Sequence, residues 1–340
     1  MNVRDVLIVG AGPAGLATAI AAARHGLDYQ VIEKAALVNS LLHYPTEMVF
    51  FTTPELMEIG GMPFVSPYDK PTRMEALRYY RRVAEAFKLD VVFDEAVVAV
   101  EHEPTVPDED GSFVVDTRSL RGIRRSARAR TVVLATGAYD VANRLDVPGE
   151  DLPHVSHYYT QPHPFFRKRV VIVGGKNSAA EAALDLFRAG ASVTLVHRRP
   201  QLGDSIKYWV KPDIENRIKE GSIAARFDTR VVEIRLTSVV VEHAGRTDHI
   251  DADAVFLLTG YLSDTTLLRN AGVELDPQTC GPVFHPQTFE TNVRGLYVAG
   301  AMIAGVQSGK IFIENGRFHG EQVIAAIAAS VKGEGTRENG

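Results

Sequence analysis

Val6–Glu33 reads VLIVGAGPAGLATAIAAARHGLDYQVIE, and Val170–His197 reads VVIVGGKNSAAEAALDLFRAGASVTLVH. The two stretches align without a gap: Gly10 falls on Gly174, Gly26 on Gly190 and Glu33 on His197. Each is an apolar run, a glycine turn, an Ala-rich stretch, a glycine break and a second apolar run. That order is the βαβ unit of a dinucleotide-binding fold. The spacing between copies is far longer than the roughly 20–50 residues of a solenoid repeat. The repeat therefore implies two nucleotide-binding domains.

Composition agrees with this and removes other classes. A chain of 340 residues has room for about two domains with proper cores. Its 37 basic and 42 acidic side chains give a net charge of −5, against a protein that holds nucleic acid on a strongly basic surface. No run of apolar residues is long enough for a membrane span. Val6–Val9 runs directly into the glycine turn as a first strand does, with no leader pattern before it, so the expected location is cytoplasmic. Cys280 is the only cysteine, which excludes a disulfide framework, a thiolate metal cluster and an intrachain dithiol couple.

Between and after the copies the pattern predicts a helix over Met74–Phe87 and a hairpin over Val91–Thr117 with a mobile polar tip at Glu103–Gly111. Strands are expected at Thr131–Asp140, Ile223–Ile234, Val239–His243, Ala254–Tyr261 and Gly295–Gly300, with a helix near Pro212–Glu220. A last helix is expected to begin at Lys310 and end near Ser330, followed by a polar, disordered tail. The expected architecture is α/β, two Rossmann-like three-layer ββα domains. One spans 1–153 and 259–340 and is interrupted by the other at 154–258.

In the first turn Gly10 permits the tight bend, Gly12 removes the Cβ that would block a pyrophosphate, and Gly15 lets helix and strand approach. The N-terminus of the helix faces the phosphates with its positive dipole end. Glu33, closing the second strand, accepts hydrogen bonds from ribose hydroxyls and repels a 2′-phosphate. An adenosine with a free ribose belongs there, as in FAD or NAD. The second turn keeps the first glycine, as Gly174, but has Lys176 and Ala179 where the other two would be, with Asn177 and Ser178 as phosphate-facing or capping residues. Its second strand ends in His197-Arg198-Arg199, and two guanidiniums at the ribose position suit a 2′-phosphate. That points to NADPH.

GAGPAG, ATGAYD, GGKNSAAEAAL, HRR and TNVRGLYVAG, in this order, resemble the flavoproteins of the low-molecular-weight thioredoxin reductase type. More narrowly, His43–Pro67, Lys70–Phe87, GGKNSA, Ser205–Ile223 and Ile311–Glu321 resemble the bacillithiol-disulfide reductase group. The resemblance implies an FAD site at Gly10, Gly12, Pro13, Ala14, Gly15, Glu33, Lys34, Tyr44, Thr136, Gly137, Gly300, Ala301, Lys310 and Ile311. It implies an NADPH site at Gly174, Gly175, Lys176, Asn177, Ser178, His197, Arg198, Arg199, Lys207 and Gly260. The activity implied is hydride transfer from NADPH to FAD and onward to a small disulfide such as bacillithiol disulfide, a role in redox homeostasis, in a homo-oligomer.

Three departures stand out. Thioredoxin reductases carry a C-x-x-C pair where this chain has VSHYYTQPHPF (Val155–Phe165). The bacillithiol-disulfide reductase group is associated with a cysteine in the first glycine turn, at the position of Ala14. Many flavoproteins have Asp after the glycine at 300, holding a ribityl hydroxyl; Ala301 leaves that task to backbone groups, and the amides opening the last helix at Lys310 are expected to face the flavin. A ferredoxin- or flavodoxin–NADP reductase of the thioredoxin-reductase-like type, which also lacks C-x-x-C and passes electrons to a small carrier protein, is the alternative. A non-catalytic NADPH or redox sensor is a third.

The remaining candidates weigh less. His154, His157 and His163 lie in an irregular Pro-rich crossing and read as a hinge, so no metal is expected. Tyr44 offers a hydroxyl beside the flavin, whereas Phe50 and Phe51 read as packing. Among Glu314, Asn315 and His319, His319 is the candidate proton donor. Cys280, in a turn without a partner, reads as inert.

Overall fold

The computed structural model describes residues 3–103, 111–307 and 309–335. The strand β1 (Val3–Val9) is buried along Val6–Val9, as an apolar run with no polar alternation must be. Pro13 opens the helix α1 (Pro13–Arg24), where its missing N–H costs nothing. The strand β2 (Tyr29–Ile32) then pairs parallel with β1, from Val6 opposite Tyr29 to Val9 opposite Ile32. The first repeat is therefore a strand–turn–helix–strand unit with its two strands parallel, of the kind its sequence specifies.

The chain divides into two units. The first comprises Met1–Leu42, Thr52–Val141 and Tyr261–Gly340. Its sheet orders Val91–Val92, β2, β1, Arg124–Leu134, Ser112–Ser119 and Glu95–Glu103, with Leu296–Val298 also pairing on Arg124–Leu134. The 11-residue strand Arg124–Leu134 serves two purposes. Arg124–Ala129 closes an antiparallel meander, and Thr131–Leu134 runs parallel to β1. One face of β1, carrying Leu7 and Val9, packs with Phe113, Val115, Val132 and Leu296 into a shared core.

The second unit comprises His43–Phe51 and Ala142–Gly260. Its parallel sheet orders Ala224–Arg226, Ser192–Val196, Arg169–Val173, Ala254–Leu257 and Val155–Ser156, and a separate meander is built from Thr229–Ile234, Ser238–His243 and Arg246–Asp251. The alternation in Arg169–Val173 sorts the layers. Val170 and Ile172 pack among Ala180, Ala183 and Leu186 of the helix Asn177–Arg188, while Val171 and Val173 pack against Val231, Val239 and Val241 of the meander. Helix, parallel sheet and meander are the three layers expected. No described helix is long and apolar enough to cross a membrane.

Several boundaries differ from the sequence reading. The expected strand Ile223–Ile234 is two strands in different sheets, because Asp228 takes a left-handed conformation (φ 49°) that turns the chain. The expected strand Thr131–Asp140 begins earlier, at Arg124, and ends at Leu134. The last helix does not begin at Lys310: a four-residue helix Ile313–Gly316 comes first, and the long helix runs His319–Gly335, past Ser330. Residues 104–110 of the expected mobile tip, and 336–339 of the expected disordered tail, lie outside the described residues.

The helix Arg73–Ala86 shows why its sequence is helical. Thr72 accepts the Glu75 N–H (3.3 Å) and Glu75 returns the contact to the Thr72 N–H (2.8 Å), a reciprocal cap. Glu75 also accepts from Ser66 Oγ at 2.8 Å, and these donors hold its carboxyl below its ordinary pKa although burial acts the other way. Thr72→Ala is expected to cost about 1 kcal/mol and lower the melting temperature by roughly 2 °C; thermal unfolding followed by circular dichroism checks this.

Candidate functional site

The three glycines of the first turn do different work. A Cβ on Gly10, whose φ is +105°, would lie 2.6 Å from the Ala135 carbonyl oxygen, and one on Gly15 would lie 1.9 Å from that of Gly10. Both positions are closed by neighbouring backbone. A Cβ on Gly12 would meet nothing within 4 Å. Space is kept open there, at the residue capping α1, where unpaired helix amides collect. A phosphate-bearing ligand fits that opening.

Glu33 is 5% exposed and accepts the Ala11 N–H at 2.7 Å and the Ala35 N–H at 3.0 Å. One carboxylate thus anchors the glycine turn and the end of β2, and its remaining lone pairs suit a pair of ribose hydroxyls. Lys34 is ion-paired with Asp140 at 2.6 Å. Thr136 Oγ1 donates to Met302 Sδ at 3.7 Å, and Gly137 has φ +78°. Ala299 donates to the Leu134 carbonyl, bringing Gly300 and Ala301 beside the end of the strand Arg124–Leu134. A Cβ on Gly300 would lie 2.8 Å from Ala14 Cβ. Lys310 and Ile311 lie in a bend tied by Asn315, whose side chain donates to the Lys310 carbonyl (2.9 Å) and accepts the Phe312 N–H (2.8 Å). All these residues belong to the first unit. Tyr44 does not. It groups with the second unit, where its ring faces Phe50 (6.4 Å, 55°).

The second turn is built alike and lined differently. Gly174 (φ +157°) is closed by the Leu258 carbonyl at 2.6 Å. Gly175 is covered by the His197 ring, whose atoms a Cβ would approach to 2.3–2.5 Å. Burial, then Arg199 and Arg198, hold His197 below its ordinary pKa. Arg198 and Arg199 themselves are exposed and form no ion pair among the described residues, whereas Arg144, Arg169, Arg188 and Arg217 of the same unit are all paired. Two guanidiniums on consecutive residues without an acidic partner suit a dianion. Lys176 and Ser178 are exposed at the start of the helix Asn177–Arg188. Gly260 (φ +102°) has open space about its Cα.

Asn177 and Lys207 are engaged within the protein. Asn177 accepts the Lys207 N–H (2.8 Å) and donates to the Ser205 carbonyl (3.0 Å), while the Gly203 N–H reaches the Gly175 carbonyl (2.8 Å). Together they pin the loop 203–207 to the glycine turn. The Lys207 ammonium is 5% exposed overall as a residue, pairs with Glu181 at 2.5 Å and donates to the Val49 carbonyl at 3.0 Å. Glu181 and Val49 were not legible as partners: Glu181 lies one helical turn after Asn177, but nothing in the sequence links either to Lys207. Phe51 stacks on Trp209 (5.6 Å, 27°), fixing the same segment.

His319 is buried (8% exposed), and its Nδ1 accepts the Gly300 N–H at 3.1 Å. Cys280 is exposed, with φ 55°. Although remote in sequence from both glycine turns, its turn packs on the end of Gly300–Ala304: the Val306 N–H donates to the Thr279 carbonyl at 2.8 Å. His157 Nε2 lies 3.4 Å from the Glu150 carboxylate. No group of three metal-ligating side chains comes together among the described residues.

The family model described as pyridine nucleotide-disulphide oxidoreductase matches residues 7–300. Bacilliredoxin reductase Bdr of Bacillus subtilis (strain 168) is 41% identical, over 95% of this chain and 97% of its own. A thioredoxin reductase of Treponema pallidum (strain Nichols) is 31% identical, over 87% of this chain and 88% of its own. The solved bacillithiol disulfide reductase Bdr from Bacillus cereus superposes with a TM-score of 0.92 at 38% identity, covering 97% of this chain and all of that one.

Two outcomes are expected from this geometry. Gly12→Ala should fold with an apo-protein melting temperature within about 2 °C of the parent yet bind FAD at least roughly tenfold more weakly, whereas Gly15→Ala should not fold; flavin fluorescence titration and circular dichroism separate the two. Replacing Arg198 and Arg199 with Gln should raise the KM for NADPH roughly tenfold or more and leave that for NADH within about twofold. Equal effects on both nucleotides would remove the phosphate assignment.

Proposed function

The chain belongs to the pyridine nucleotide-disulphide oxidoreductase family, and from that membership we propose that it reduces a small disulfide of the bacillithiol class. It is an FAD- and NADPH-dependent oxidoreductase. The observation that carries the substrate class is the 41% identity, across nearly the whole of both chains, with a bacilliredoxin reductase. Overall, one NADPH and one proton convert one disulfide into two thiols.

Bound FAD supplies a two-electron relay between NADPH and the acceptor. The first unit's residues bind and orient it in this reading: Gly12 leaves room for its phosphates at the N-terminus of α1, and Glu33 takes its adenosine ribose. In the second unit the HRR strand end takes the 2′-phosphate of NADPH. Arg198 and Arg199 supply charge, and His197, held below its ordinary pKa by burial and by those arginines, covers Gly175.

The acceptor step has no thiol in the first glycine turn to work with. Position 14 is alanine, and Cys280 sits exposed in a turn. The disulfide must therefore be opened without a mixed disulfide to the chain, which makes that half of the cycle the slow one. The same lack of a thiol supports a second reading, in which the acceptor is a small electron-carrier protein such as a ferredoxin or flavodoxin.

NADPH oxidation measured with bacillithiol disulfide, ferredoxin and flavodoxin decides between them. The expected result is disulfide-dependent turnover slower than flavin reduction by NADPH. It should be unchanged within about twofold in Cys280→Ser and raised roughly tenfold or more in Ala14→Cys. Turnover with ferredoxin or flavodoxin, and none with the disulfide in either the parent or Ala14→Cys, would install the second reading.

A further inference from the structure

The turn Ala299–Ala301 has no acidic side chain to hold a cofactor hydroxyl, so whatever it contributes it contributes as backbone. Its conformation then matters more than its side chains. Gly300 has φ +76°, in the left-handed region. Its backbone is close enough to Ala14 that a Cβ would come within 2.8 Å of Ala14 Cβ. The turn is thus pressed onto the first residues of α1, where the phosphates of a dinucleotide collect. A polar side chain reaches it from the terminal helix: His319, whose Nδ1 accepts the Gly300 N–H at 3.1 Å.

His319 is placed rigidly. It opens the helix His319–Gly335, and the next residue, Gly320, lies so close to α1 that a Cβ would come 2.4 Å from the Thr18 nitrogen. The imidazole is backed by the Phe289 ring at 4.5 Å. Thr18 in turn donates to the Ala14 carbonyl at 2.8 Å. The start of the terminal helix therefore touches α1 through Gly320 and the 299–301 turn through His319, one residue apart.

We propose that His319 is a positioning residue for FAD: its Nδ1, by accepting the Gly300 N–H, fixes the backbone of the 299–301 turn against the N-terminus of α1 in the conformation that binds the cofactor. An Nδ1 that accepts carries no proton, so the ring is neutral with its hydrogen on Nε2. That assignment makes it an acceptor at Nδ1 and not a source of a proton there. Without the acceptor the Gly300 N–H is buried and unsatisfied, and the turn relaxes to find a partner. The inference rests on the reading of Gly300–Ala301 as part of the FAD site.

Two variants separate the hydrogen bond from the ring. His319→Asn keeps an acceptor at the same reach from the backbone and loses the aromatic surface; His319→Phe keeps the surface against Phe289 and loses the acceptor. FAD affinity is read by titrating each apo-protein with FAD, and apo-protein melting is recorded alongside. The expected result is FAD affinity within about threefold of the parent for His319→Asn and roughly 10- to 100-fold weaker for His319→Phe. The reverse order, both variants binding as the parent does, or both losing FAD, would overturn the proposal. Should His319→Phe not fold, His319→Asn decides alone: retention supports the bond and a loss of tenfold or more overturns it. If His319→Phe lowers apo-protein melting but binds FAD normally, the bond is structural and the turn lies outside the FAD site. Parent-like melting together with parent-like affinity would show instead that the bond itself does nothing.

Discussion

Backbone meets backbone at the start of α1 more closely than side chains allow, and the first unit is arranged around that constraint. Gly15 lies on the Gly10 carbonyl, Gly10 on that of Ala135, Gly320 on Thr18 and Gly300 on the Ala14 methyl. Each approach brings another segment to the same helix terminus: the strand end at 135, the turn at 300 and the terminal helix at 320. A Cβ at Gly10, Gly15 or Gly320 would push apart two elements whose carbonyls and amides are already paired, a cost no local rearrangement recovers. Gly12 is the exception: a Cβ there would meet nothing within 4 Å, and in the proposed reading that open space takes the cofactor phosphates.

The second unit keeps the junction and changes the polarity. Gly174 is closed by the Leu258 carbonyl much as Gly10 is by Ala135. At the end of the second strand, however, Glu33 is replaced by His197 with Arg198 and Arg199 behind it. Glu33 grips its turn by accepting the Ala11 amide; His197 covers its turn with the face of a ring. The scaffold is common to both units, and in the proposed reading the sign of the charge at one strand end separates a ribose with free hydroxyls from one carrying a phosphate.

This division also explains what the sequence made legible. The repeat, the glycine turns and the acidic or basic strand end are local patterns, each enforced by neighbours a few residues away, and they are found where the residues say. The breaks at Asp228 and between Gly316 and His319 were not legible. Apolar periodicity continues through the first of them, and only the demand that each side enter a different sheet forces the chain to turn there. The placement of His43–Phe51 in the second unit was hidden for the same kind of reason. It depends on a lysine 158 residues away donating to Val49 and on a tryptophan against Phe51. Lys207 enters the expected NADPH site through the family resemblance alone. Its ion pair with Glu181 is a tertiary fact.

Position 14 is where scaffold and chemistry separate. A thiol there would stand in the first turn of α1, where the helix dipole lowers a thiol's pKa and favours the thiolate that opens disulfides. Alanine sets its methyl against Gly300 and supplies none of that reactivity. Cys280 is no substitute: the turn that holds it is set by the left-handed residue itself and by its own N–H donating to the Asp276 carbonyl. Its side chain is exposed on that turn. In the proposed reading, with alanine at position 14, discrimination between acceptors comes from how the acceptor is held, and so from the residues that shape its approach.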